Sequence, residues 1–316
     1  METKTPKTLN EAIRYFADPD NCLKTTIALR WPNGVTCPTC GSKEVTLLST
    51  RQLWKCKSKH PKQQFSAKVG SIFEDSPIGL DRWFTAIWLI ANCRNGVSSC
   101  EIARDLGVTQ KTAWFMMHRI RLAMNNGTFE KLTGEVEADE TFIGGLARFM
   151  HKDKKAKITG TGGAGKAVVM GLIDRHSKKV RIAHIPNVQG DTVKGFVRKY
   201  VKGGSYVFSD AFAGYNGLDR DYVHQVIDHA EKYVDGNVHT NTIENFWSLL
   251  KRGLKGTYVS VEPFHLFRYL DEQAFRFNNR KTDDGSRFVE TLAGVIGKRL
   301  TYRHLTGKDE LASALS

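Results

Sequence analysis

Apolar residues at Leu80, Trp83, Ile87 and Ile90 recur at intervals of three and four, so the segment is predicted to form an amphipathic helix that fades at Asn95-Gly96. Ser98-Ser99-Cys100-Glu101 then has the form of a capping box, in which the Ser hydroxyl and the Glu carboxylate each satisfy a backbone N–H at a helix start. The helix it opens turns Ile102, Ala103 and Leu106 inward and breaks at Gly107-Val108, after which Thr109 caps a second helix from Gln110 to about Met124. The small Ala103, four residues before the turn glycine, lets the two helices cross closely, as in a helix-turn-helix.

From Gly134 the period changes to two. Glu135-Val-Glu-Ala-Asp139-Glu-Thr-Phe142 alternates, which predicts a half-buried strand with Val136 and Ala138 on one face and Glu137, Asp139 and Thr141 on the other. The nearly continuous apolar run Ala167–Ile173, the polar turn 174–179 and the run Val180–Ile185 predict a hairpin with at least one buried strand. A short helix over Asp191–Lys202 follows, then a strand over Ser205–Asp210 after Gly203-Gly204. These elements make a mixed α/β core. Further on, Ile243, Phe246, Trp247 and Leu250 have helical spacing, so Asn241, Glu244, Ser248 and Lys251 share the opposite face of one helix.

Composition adds a partner class. The chain has 316 residues, long enough for two or three domains, and 41% hydrophobic content excludes a wholly disordered protein. Lys plus Arg outnumber Asp plus Glu by 47 to 33, and a net charge of +14 attracts a polyanion. That favours DNA or RNA over an anionic membrane. The predicted second helix fits: its exposed Gln110, Lys111 and Trp114 are candidates to face a DNA groove, in the basic company of Arg104, Arg119 and Arg121. No stretch approaches the roughly 18 apolar residues of a membrane helix, and the start at Met1 carries no apolar leader, which predicts a soluble cytoplasmic protein.

The six cysteines do not fit a disulfide scaffold in so long a chain. Cys37, Cys40 and Cys56 with His60 form a C-x2-C-x15-C-x3-H array that brings three thiolates and an imidazole together, the tetrahedral number for zinc. Gly41 lets the chain turn tightly around the metal. Four protein ligands leave no open position, so this zinc is structural. Cys22, Cys93 and Cys100 stand in apolar or helical contexts and read as core packing.

Asp139, Asp210 and Glu244 fall on a strand, a strand end and a helix. Carboxylates gathered this way repel one another unless cations sit among them, and hard oxygen ligands suit Mg²⁺ or Mn²⁺. Two such ions activate a water or a 3′-hydroxyl against a phosphodiester, and Lys251 can hold a phosphate. Gly160-Thr-Gly-Gly-Ala-Gly165-Lys166 matches the start of a phosphate-binding loop, but Ala167 replaces the required hydroxyl and a strand pattern follows where a helix should begin. It reads as part of a Gly/Lys-rich loop, 147–166.

The chain resembles bacterial insertion-sequence transposases of the DDE class, the ISXO-like group. The resemblance is carried by Arg30-Trp-Pro-Asn-Gly-Val-Thr-Cys-Pro-Thr-Cys-Gly41, Gly70-Ser-Ile-Phe-Glu-Asp-Ser76, Glu137-Ala-Asp-Glu-Thr-Phe-Ile-Gly-Gly145, Ser209-Asp-Ala-Phe212, His239-Thr-Asn-Thr-Ile-Glu-Asn-Phe-Trp-Ser-Leu-Leu-Lys-Arg-Gly253 and Phe275-Arg-Phe-Asn-Asn-Arg280. It implies an α/β, RNase H-like mixed-sheet catalytic domain behind a zinc ribbon and a helix-turn-helix domain. The corresponding division is 1–78 for the ribbon segment, 79–130 for the DNA-binding helices, 131–300 for the catalytic domain and 301–316 for a tail. The resemblance also implies cleavage at element ends and strand transfer into target DNA, with Asp139 and Asp210 as the first two acids. The group varies in its third residue, and here Glu244 has the charge and the seven-residue offset to Lys251, with Asn241 in reserve. The partners expected are double-stranded DNA, as terminal inverted repeats and target, and a second copy of the chain in a homodimer or larger active complex. The protein would then be bacterial and nucleoid-associated. A DNA-binding regulator needs none of these acids, whereas an RNase H-like nuclease without strand transfer uses the same metals and stays open.

Overall fold

The computed structural model describes residues 5–125, 130–145, 152, 163, 165–227 and 239–308. Most of the Gly/Lys-rich loop, including Gly160 to Gly162, lies outside the described residues, as does the tail beyond 308. The chain forms two compact units, one from the described residues up to 125 and from 281 onward, the other from those between 130 and 280.

The first unit opens with two helices beyond those predicted above from the sequence, α1 (Leu9–Phe16) and α2 (Pro19–Arg30). Caps start both: Thr8 Oγ1 accepts the Glu11 N–H at 3.3 Å and Asp18 Oδ1 accepts the Asp20 N–H at 3.0 Å. On α1 the apolar Leu9, Ala12, Ile13 and Phe16 recur at helical spacing, yet Leu9 and Ile13 are 50% and 58% exposed, and α2 shows no apolar stripe, burying Cys22 and the polar Thr26. A small antiparallel sheet follows, β1 (Val45–Leu48), β2 (Leu53–Cys56) and β3 (Gln64–Phe65) in that order. Its core is aromatic, with the Trp31 ring 5.4 Å from Trp54 and 5.9 Å from Phe65.

Helix α3 (Leu80–Asn92) buries Leu80, Trp83, Ile87 and Ile90 as expected, but also Phe84, Ala86, Trp88 and Ala91, so it is covered on more than one side. Helices α4 (Ser99–Leu106) and α5 (Gln110–Met124) have the bounds their caps dictate. Ser98 Oγ accepts from Glu101 N at 3.1 Å, Gly107 takes φ 61°, and Thr109 Oγ1 accepts from Thr112 N at 3.2 Å. Two expectations fail here. Arg119 and Arg121 are 5% and 1% exposed and turn into the unit, Arg119 donating to the carbonyls of Ile72, Glu74 and Leu300, so they add nothing to a DNA-facing surface. Cys100 is exposed and Cys93 partly so; of the three cysteines read as core, only Cys22 is buried.

The second unit is built on one mixed sheet of five strands, one more than the periodicity predicts. They are β4 (Glu135–Ile143), β5 (Ala167–Asp174), β6 (Val180–Ile185), β7 (Tyr206–Asp210) and β8 (Val223–Ile227), in the order β6-β5-β4-β7-β8. β4, β5 and β6 are antiparallel neighbours, while β7 runs parallel to β4 and β8 parallel to β7. Helix α6 (Gly190–Tyr200) packs Val193, Phe196 and Val197 against Val136, Ala138 and Val207. Helices α7 (Asn241–Gly256) and α8 (Leu266–Asn278) bring Ile243, Phe246, Trp247 and Leu270 to Val169 and Ile173. Both faces are therefore covered, and β4 is not the half-buried strand its alternation predicts: Glu137, on its polar side, is 0% exposed.

Helices α9 (Asp284–Ala293) and α10 (Tyr302–Leu305) belong to the first unit, where Phe288 joins Phe16, Phe84 and Trp88 at ring separations of 5.3, 5.7 and 5.5 Å. Residues 281–300, which the sequence division gives to the catalytic segment, thus pack with the N-terminal elements. No helix among the described residues is long and apolar enough to cross a membrane.

Candidate active site and metal centre

In the first unit the sequence array comes together. Cys37, Cys40, Cys56 and His60 place their ligand atoms within 4.8 Å of one another, with Cys37 Sγ 3.4 Å from His60 Nε2 and Cys40 Sγ 3.6 Å from Cys56 Sγ. With Zn–S bonds of ~2.3 Å, the edges of a zinc tetrahedron are about 3.8 Å, so the donor set fits that ion. The turn that gathers them is local: Gly41 has φ +73°, its N–H donates to the Cys37 carbonyl at 2.8 Å, and Cys37 N–H donates to the Ser42 carbonyl at 2.9 Å. Burial works against ionising Cys37, yet backbone hydrogen bonds at Cys40 and Thr39 and those from the neighbouring thiols lower it to about 6, toward the thiolate a metal requires. His60 donates Nδ1–H to the Pro61 carbonyl at 2.7 Å, which fixes the tautomer with Nε2 toward the thiols.

In the second unit the parallel ladder between β4 and β7 ends at the pair Glu137–Phe208. Two residues further each strand carries an acid, Asp139 inside β4 and Asp210 at the end of β7, beside the point where the strand order reverses direction around β4. Carboxyl ends of adjacent strands at such a switch point are where open α/β sheets form clefts. Asp139 accepts from Trp247 Nε1 on Oδ2 and from Glu140 N on Oδ1, both at 2.8 Å. Burial pushes its pKa up to about 7, and the charges of Glu140 and Asp210 add to the rise, against the Trp247 hydrogen bond. Glu140 is raised by burial and by Asp210 as well, and it takes a 2.8 Å hydrogen bond from Tyr215 Oη. Burial and Glu140 hold Tyr215 well above the ordinary phenol range, so it remains a donor. Asp210 Oδ1 accepts from Phe212 N at 3.1 Å.

The structure thus brings Asp139, Asp210 and Glu140 within reach of one another's charge. Glu140 is a residue the alternation conceals, because inside a regular strand it would face away from Asp139. Glu244 and Asn241 are exposed in the first turns of α7, and Glu244 Oε1 accepts from Thr240 Oγ1 at 2.9 Å. Lys251 stands half-buried further along the same helix. Trp247, legible in sequence only as a core residue, supplies the contact between α7 and Asp139. Asp139 and Glu140, held above the ordinary carboxylate range by burial and by neighbouring charge, with Asp210 beside them, suit a hard divalent cation.

The positions expected to read DNA are engaged within the unit. Gln110 Nε2 donates to Ser99 Oγ at 2.7 Å, Lys111 Nζ lies 4.9 Å over the Tyr302 ring, and Trp114 packs edge-on to His118 at 4.5 Å.

Comparison with known proteins adds independent observations. Residues 131–278 match the family model described as the ISXO2-like transposase domain, and residues 18–58 match the transposase zinc-ribbon domain, a stretch that ends two residues before His60. The chain is 25% identical over 253 residues to an uncharacterized protein in transposable element ISH50 of Halobacterium salinarum, covering 77% of this chain and 85% of that one. It is 35% identical over 102 residues to an uncharacterized transposase-like protein of Haemophilus influenzae, covering 32% of this chain and 82% of that one.

Proposed function

Because the chain belongs to the ISXO2-like transposases, we propose that it binds the ends of an insertion sequence, cuts phosphodiesters there and joins the freed 3′ ends to target DNA. Asp139, Asp210 and Glu244 hold two Mg²⁺ or Mn²⁺ ions in this reading, and Cys37, Cys40, Cys56 and His60 hold a structural zinc. The observation that carries it is the approach of Asp139 and Asp210, each two residues past the last pair of the β4–β7 ladder and near enough for the Asp210 charge to raise the Asp139 pKa. The strand order β6-β5-β4-β7-β8, an antiparallel side joined to a parallel one, supports an RNase H-like core. The α4–turn–α5 unit supports a helix-turn-helix, and the net charge of +14 supports a DNA partner.

Bound divalent ions would supply activation of the attacking oxygen and stabilisation of the leaving one. The protein's own part is placement. Trp247 and the Glu140 amide fix both oxygens of Asp139, the Phe212 amide orients Asp210, and Tyr215 holds Glu140. Lys251, seven residues beyond Glu244 on the same helical face, is set to hold a phosphate.

The test is a joining assay with purified protein, Mg²⁺ and DNA carrying the element's terminal repeats. Asp210→Asn should reduce joining by more than the ~10–100-fold that loss of an outer partner costs a metal site. Full joining by that variant would remove Asp210 from the metal site, and cleavage without joining would make the enzyme a nuclease.

A further inference from the structure

We propose that Glu137 and Trp247 are positioning residues that clamp one turn of α7 to β4 at two points, and that the clamp sets where Glu244 stands relative to Asp139. The inference rests on the metal-site reading above and adds what holds that site's helix in register.

The N-terminus of α7 lacks a cap of its own, since Thr240 makes no side-chain capping bond and spends its hydroxyl proton on Glu244. The cap comes from the sheet instead. Glu137 Oε2 accepts the N–H groups of Thr242 at 2.9 Å and Ile243 at 3.0 Å, two of the orphan donors of the first turn. Its other oxygen accepts from Arg175 Nε at 2.9 Å and lies 3.4 Å from His239 Nδ1, and the Arg175 guanidinium sits 3.7 Å over the Phe208 ring. Arg175 also donates to the His239 carbonyl at the entry to α7.

A buried ion pair is a poor way to gain stability, because an apolar residue of similar size on β4 and a hydroxyl cap on the helix would serve as well. What a buried carboxylate contributes instead is directionality. It accepts only where amide hydrogens point at it, and so admits one placement of the helix.

The second point of the clamp is the Trp247 Nε1–H bond to Asp139 Oδ2 at 2.8 Å. Glu137 and Asp139 lie on the same side of β4, separated by one pleat repeat of roughly 6.6–6.8 Å. Ile243 and Trp247 lie four residues apart on α7, a rise of about 6 Å. Both points join the same helix to the same strand, so sliding the helix along the strand breaks them together. Gly171, the β5 residue paired with Asp139, sets the height of the helix: a Cβ there would stand 2.5 Å from Trp247 Cη2 and 2.9 Å from Ile243 Cδ1. Glu244 falls inside the turn held at both ends.

Glu137→Gln keeps the shape of the side chain and removes its charge. It is compared with Val197→Ala, a core change on α6 on the opposite face of the sheet, chosen to lower the melting temperature without touching the clamp. Both are studied as full-length, zinc-loaded protein well below their melting temperatures. Glu137→Gln should lower kcat for strand joining and weaken Mn²⁺ binding measured by calorimetry, each by ~10–100-fold, with KM for DNA nearly unchanged. The amides of Thr242 and Ile243 should exchange hydrogen faster. Val197→Ala should leave kcat and Mn²⁺ affinity as they are. Wild-type kcat and Mn²⁺ affinity in Glu137→Gln, or equal losses in Val197→Ala, would overturn the clamp. If the wild type joins no DNA, the proposed function fails while the Mn²⁺ and exchange measurements still decide the inference. Should Glu137→Gln not fold, Trp247→Phe removes the second point while retaining the ring: a ~10-fold loss of Mn²⁺ affinity supports the clamp and unchanged affinity overturns it.

Discussion

Asp139 combines burial, two hydrogen bonds and two acidic neighbours, and it responds to pH in a direction opposite to that of an ordinary salt-bridged carboxylate. Its pKa is about 7 in the folded chain, against ~3.9 unfolded. Between those values the folded state holds a proton that the unfolded state has released, so stability falls as pH rises from ~4 to ~7, and the loss is complete above that window. Zinc-loaded protein in magnesium-free buffer should therefore melt a few degrees lower at pH 8 than at pH 5.5, a difference that Asp139→Asn reduces and added Mg²⁺ partly restores. A thermal-melt series at both pH values checks this, and the same pH slope in wild type and Asp139→Asn would contradict it. Asp139 and Asp210 are legible as candidates in the sequence because each is an acid set in or ending a strand pattern. Glu137 is not, since what makes it a buried cap is Arg175, 38 positions away, and the start of α7, 105 positions away. Arg119 and Arg121 mislead for the same reason: a charge on a helix looks solvated until its surroundings are known, which for Arg119 include three carbonyls that take it inward.

At the scale of elements, local chemistry decides what can be read. α4 and α5 are bounded by their own caps and a turn glycine, all within a few residues, and their limits follow from the sequence. β8 is not legible, because Val223 and Val226 are exposed while Ile227 is buried, which breaks the alternation of a half-covered strand. The ribbon is legible through its ligands, although its sheet is short. Its strands surround a core of few residues, chiefly Trp31, Trp54 and Phe65, so the metal must supply much of the folding free energy. Structural zinc contributes an apparent ~10–16 kcal/mol in small zinc domains. Cys56→Ser should consequently lose stoichiometric zinc and shift the emission of Trp31 and Trp54 to the red as their core opens. Elemental analysis with fluorescence checks it, and a Cys56→Ser protein that keeps its zinc and its emission spectrum would contradict the assignment.

Across the whole molecule, two independently cored units divide the labour proposed for the chain. The first contains the zinc ribbon and the α4–turn–α5 pair, and its aromatic core is completed by Phe288 from beyond the transposase-domain match. That return of the chain could not be read from the sequence, because α9 pairs with helices about 200 residues earlier and carries no motif. The second unit contains the acids, and the account depends on their sharing cations. The most direct test is a crystal structure of the protein soaked in Mn²⁺, with the ions located by anomalous scattering. The account predicts Mn²⁺ ligated by Asp139 and Asp210, with Glu244 completing the set from the clamped turn of α7. Mn²⁺ bound away from these residues, or Asp139 and Asp210 ligating no common ion, would contradict it.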